Sequence, residues 1–126
     1  MAAATIITTG FVYRGGTRTN RSLTPRLQKD VSNVPGKAGL SAFQKFDDAN
    51  RPGNYVQKID VGRLTSPLAA ILEDDGHVGI APVKTDGSID EELLIEWAQT
   101  RDTGVRHALS AIVYDAIIEA DIWSHP

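Results

Sequence analysis

From Thr5 to Tyr13 the chain is rich in Ile, Thr, Val and aromatic residues, with Gly10 as a break. β-Branched and aromatic side chains lose rotamer freedom in a helix and pack well on a pleated surface, so the chain opens with a strand or a pair of strands. The run delivers an arginine into Tyr13-Arg14-Gly15-Gly16 and is followed by Arg18, Arg21, Arg26 and Lys29, with no acidic residue before Asp30. A guanidinium offers a planar fork of donors, and glycines let a ligand approach backbone N–H groups closely. This pattern suits an anion held at a strand end.

Further along, Gly15 to Asn20 reads as a loop, and Thr24-Pro25 as the start of one short helical turn to Lys29. Leu40 to Phe46 and Tyr55 to Val61 read as strands, divided by the turn Arg51-Pro52-Gly53. Ser66-Pro67 pairs a capping side chain with proline and predicts a short helix from Pro67 to Glu73. His77 to Val83 reads as a buried strand between the turns Asp74-Asp75-Gly76 and Asp86-Gly87. Ser88 or Asp90 opens a helix through Thr100, its acidic first turn set against the positive end of the dipole. A last helix is expected from about Arg106 to Ala120, with some strand character in its Ile and Val content. Strands first and helices last predict one compact α+β domain over residues 1–126.

Composition excludes several chemistries. With no cysteine among 126 residues, disulfides, thiolate catalysis and cysteine metal sites are ruled out. No His-x-x-x-His spacing, phosphate loop, nucleophile elbow or dinucleotide fingerprint occurs, so no zinc site is expected, and no apolar run approaches the length of a membrane span. The start Met1-Ala2-Ala3-Ala4 lacks the basic residues of a secretory signal. Net charge is −3, but residues 1–66 hold ten Lys or Arg against four acids, and residues 67–126 hold three against twelve. The basic half suits phosphates of a nucleotide or nucleic acid, or an acidic protein; alternatively the halves neutralise each other across the fold.

Leu93, Leu94 and Trp97 define the apolar stripe of the penultimate helix, and Arg101 falls four residues past Trp97 on the same stripe. Glu96 lies on its flank. His107 beside Glu96 and Arg101 would form an acid–base cluster; His77, after a turn, is read as contributing a local hydrogen bond.

Tyr13-Arg14-Gly15-Gly16, Thr24-Pro25-Arg26, Gly39-Leu40-Ser41-Ala42-Phe43 and Glu96-Trp97-Ala98-Gln99-Thr100-Arg101 together resemble small bacterial toxin domains of the ADP-ribosyltransferase-like kind, as found among type VI secretion effectors and polymorphic toxins. The resemblance implies a small, mainly antiparallel split sheet with flanking helices, and NAD as cofactor, with Arg14 on its diphosphate, Tyr13 and Gly15 beside it, and Ser41 and Phe43 at the nicotinamide end. It implies Glu96 as the acidic residue that stabilises the ribosyl cation or orients the nucleophile. The sequence departs from the family pattern in having no full Ser-Thr-Ser segment and no Glu-x-Glu, and in placing Glu96 on a helix.

On this reading the protein is an intracellular toxin that transfers ADP-ribose or hydrolyses NAD. It would act in the cytoplasm after delivery by a route without a signal peptide, and be neutralised by an immunity or antitoxin protein. Two alternatives stand beside it. In one, a ribonuclease toxin holds RNA on Arg14, Arg26, Lys29 and Lys37 and cleaves with Glu96, Arg101 and His107. In the other, a non-enzymatic module docks an acidic partner on its basic half.

Overall fold

The computed structural model describes residues 5–15, 23, 25, 39–45, 55–72, 76–99 and 104–123. The first strands are β1 (Thr5–Ile7) and β2 (Phe11–Gly15), parted where expected by Gly10 at φ 98°. Next come β3 (Leu40–Phe43), β4 (Tyr55–Asp60) and a 3-10 turn at Val61–Arg63. The second half holds β5 (Leu68–Leu72), β6 (His77–Pro82), α1 (Glu91–Ala98), α2 (Gly104–Ala116) and β7 (Ile117–Trp123). All seven strands join one sheet in the order β1-β5-β6-β3-β2-β4-β7, and its neighbouring strands pair antiparallel. The mixed helix-and-sheet class and the antiparallel pairing agree with the sequence expectation.

Two elements differ from that expectation. Leu68–Leu72 is a strand, not a helix, and it pairs with β1 on one side and β6 on the other. A short apolar run reads equally as buried helix or buried strand, and the two ladders decide it here. The last helix stops at Ala116, and Ile117 passes straight into β7 along β4. Ile117 and Ile118 gain there the extended backbone that β-branched residues favour.

Alternation along the strands sets one face of the sheet against the helices. Val12, Leu40, Ala42, Ile59, Ala70, Val78 and Ile80 line that face and form one core with Leu94 and Trp97 of α1 and Leu109, Val113 and Ala116 of α2. The helical stripe predicted from Leu94 and Trp97 is thus the buried one. Asp90, one of two expected caps, is the N-cap of α1: its carboxylate accepts from the Leu93 N–H at 3.2 Å.

Between β6 and α1 the chain turns tightly. The Lys84 N–H donates to the Ser88 carbonyl, and the Gly87 N–H, at φ 86°, donates to the Lys84 carbonyl. Inside this turn Asp86 accepts from the Ser88 hydroxyl at 2.6 Å and the Ser88 N–H at 2.9 Å. Both bonds favour the carboxylate, the hydroxyl more, and hold its pKa below the ordinary 3.8. A depressed carboxylate contributes stability above its ordinary pKa and loses it as pH falls through the folded value. An NMR titration should therefore find Asp86 ionising below an ordinary aspartate, and Ser88→Ala should move the midpoint back up. A midpoint unmoved by Ser88→Ala would refute this assignment.

The readings at Gly16–Asn20, Arg26–Lys29, Arg51-Pro52-Gly53 and Asp74-Asp75 lie outside the described residues.

Candidate functional site

Strand pairing gathers several of the expected residues. Tyr13 stands opposite Phe43, and Phe43 opposite His77, so that β2, β3 and β6 carry one row of three rings. Lys58 of β4 continues the row beside Tyr13, and Glu119 of β7 beside Lys58. Lys58 sits 4.4 Å from the centre of the Phe11 ring and 4.0 Å from the Glu119 carboxylate. An exposed ion pair of this length adds little to stability.

This row lies on the face away from the helices, because Tyr13 and Phe43 alternate with the core residues Val12 and Ala42. Ser41, two residues before Phe43, shares that face. It stands opposite Gly79 and reaches diagonally to His77, where its Oγ and the His77 Nε2 share a hydrogen bond of 2.6 Å. Phe43 meets the imidazole edge to face, with ring centres 5.1 Å apart and planes at 73°. Ser41, Phe43, Tyr13 and His77 are all half-buried. The turn that delivers His77 passes through Gly76 at φ 80°, a conformation that favours glycine.

Arg14 belongs to the opposite phase of β2. It shares the helix-covered face with Val12, and its neighbour on β4 is Gln57, which is fully buried. Among the described residues β2 and β3 are joined by the single pair Tyr13–Phe43. Just past that pair Arg14 spans the strands, its Nη1 donating to the Ser41 carbonyl at 2.5 Å. A charge-assisted bond of this kind ties the guanidinium to the backbone that carries the serine. Gly15 ends β2 opposite Val56.

Five of the expected residues therefore converge on one strand pair: Tyr13, Arg14, Gly15, Ser41 and Phe43. Glu96 and His107 do not join them. Glu96 is exposed on α1 and His107 is exposed on α2, and both helices cover the other face of the sheet. Arg101 lies outside the described residues, as do Arg18, Arg21, Arg26, Lys29 and Lys37, so the ribonuclease cluster and the basic docking face gain no support here. The residue that sequence reasoning undervalued is His77. Its signal was a histidine opening a strand, but its partner depends on the β3–β6 register, which the sequence does not display.

Chemically the arrangement offers a cation fixed at a strand parting, a hydroxyl–imidazole pair and aromatic walls. Among the described residues there is no group of three or more His, Asp or Glu able to hold a metal, and no helix long and apolar enough to cross a membrane. Comparison with known proteins finds no matching family model, no matching curated protein and no matching solved structure.

Proposed function

We propose that the protein is an ADP-ribosyltransferase-like toxin that binds NAD at the parting of β2 and β3, transferring ADP-ribose or hydrolysing the cofactor. One observation supports this reading above the others. Residues nominated separately for the diphosphate and nicotinamide ends, Arg14 on the helix-covered face and Ser41 and Phe43 on the opposite one, come together at the one pair that β2 and β3 share among the described residues, where the Arg14 guanidinium reaches the Ser41 carbonyl. Arg14 would supply the cation for the diphosphate, and Phe43 a ring against which nicotinamide packs. The reading assigns no step to Glu96 or His107, both exposed on the helices rather than carried by β2 or β3. A protein that consumes NAD in the cytoplasm would need a neutralising immunity or antitoxin partner.

NAD titrated calorimetrically into the purified domain tests the proposal, with nicotinamide release measured alongside. Binding should weaken at least tenfold in Arg14→Ala, the loss of about 1.4 kcal/mol or more expected for a charge-assisted contact. Arg14→Lys should recover little of it, since an ammonium does not reproduce the guanidinium fork. Phe43→Ala should weaken binding while leaving the Arg14–Ser41 contact in place. Wild-type protein that takes up no NAD at millimolar concentration would end the proposal.

A further inference from the structure

We infer that Ser41 is a nucleophile activated by His77, and that this face hydrolyses esters with small apolar acyl groups.

Three features of the geometry support the assignment. A nucleophile and its base must lie within hydrogen-bond reach, and Ser41 Oγ and His77 Nε2 are 2.6 Å apart. Both must be held in place. Ser41 is fixed from behind by Arg14 on its own carbonyl, and the His77 ring by the edge-to-face contact with Phe43. Both sit within paired strands rather than on a loop, which favours a precise site. Lastly, the pair is half-buried and so reachable, on the face where Tyr13 and Phe43 stand side by side as apolar walls.

The chemistry closes on itself. His77 Nε2, as the tautomer with its proton on Nδ1, takes the Ser41 hydroxyl proton while Oγ bonds to the ester carbonyl carbon. The carbon–oxygen bond to the alcohol then breaks, and His77 returns the proton to the departing alkoxide. Water repeats the sequence on the acyl-serine, releasing the acid and restoring both side chains. The other tautomer donates to Ser41 and activates nothing, so experiment can separate a working pair from a structural bond.

A fluorophosphonate probe, which bonds to activated serine hydroxyls, makes that separation, with peptide mass spectrometry to locate the label. Stoichiometric labelling at Ser41 is expected, together with hydrolysis of p-nitrophenyl butyrate, both abolished in Ser41→Ala. His77→Gln is the decisive variant: its amide can still hydrogen-bond Ser41 but cannot carry the proton. It should keep the wild-type melting temperature and lose labelling at least a hundredfold. Ser88→Ala, a change at an exposed hydroxyl in a turn, should label like wild type. No label on the wild-type protein, or labelling of Ser41 that persists in His77→Gln, would overturn the inference. Because the assay contains no NAD, its outcome is independent of the NAD-binding result. If His77→Gln fails to fold, Ser41→Cys replaces it: alkylation by iodoacetamide should be faster with His77 present than in the Ser41→Cys, His77→Asn double variant, and equal rates would again overturn the inference.

Discussion

Gly39→Ala is expected to destabilise the protein by about 3–5 kcal/mol, a large share of the roughly 5–15 kcal/mol that holds a domain folded. Gly39 sits immediately before β3 at φ 97°, where a side chain is strained whatever the space around it. Space is also lacking. A Cβ built there would stand 2.5 Å from the Ile80 carbonyl oxygen and 2.9 Å from the Ala81 Cβ. The oxygen belongs to the backbone of β6, which is paired on both sides, so it cannot yield without pulling the sheet apart. Gly10→Ala is the matched control. Its φ is 98°, yet nothing lies within 4 Å of the added carbon. That variant should lose only the conformational cost, about 1–2 kcal/mol. Urea unfolding of the two variants separates strain from collision, and equal losses would mean that the β3–β6 backbone gives way more easily than this packing implies. Gly39 also stands two residues before Ser41 of the proposed site.

How much of this was legible beforehand depends on whether the relevant information is local. Gly10 dividing β1 from β2, Asp90 capping α1 and Leu94 with Trp97 facing the core are all decided within a turn or two of chain. Leu68–Leu72 was misread because an apolar pentapeptide has no period of its own, and its two ladder partners are distant in sequence. Ile117 was misread for the same reason: the edge of β4 supplies the choice that local propensity leaves open. The site shows this division most sharply. Arg14 could be nominated from residue type, and Tyr13, Ser41 and Phe43 from the family resemblance; the pairing of Tyr13 with Phe43 brings them together. That Tyr13 and Arg14 must face opposite sides of the sheet follows from strand alternation alone. The Ser41–His77 contact does not, since it requires the register of two strands 36 residues apart in the chain. Glu96 is drawn toward the site by the resemblance and by its place on the flank of the stripe, while the helix carrying it packs against the other face.

Ser110→Ala should cost about 2–4 kcal/mol, the second largest loss expected here. Ser110 is buried in α2, and its hydroxyl serves two partners at once. It accepts from the Trp97 indole N–H at 3.0 Å and donates to the Leu23 carbonyl at 3.0 Å. These bonds tie α1 to α2 and both to a segment far earlier in the chain. Alanine fits the space, so packing changes little; the penalty is the desolvation of an indole donor and a backbone carbonyl left without this hydroxyl, at about 1–2 kcal/mol for each group. A double-mutant cycle with Trp97→Phe isolates the bridge from the bulk of the indole. Trp97→Phe alone loses packing as well as the donor, but in its background Ser110→Ala should cost about 1 kcal/mol less, because one of the two stranded groups is already gone. Strict additivity would show that the indole N–H finds another partner when Ser110 is removed, so that the Trp97–Ser110 bond adds no coupling between the helices.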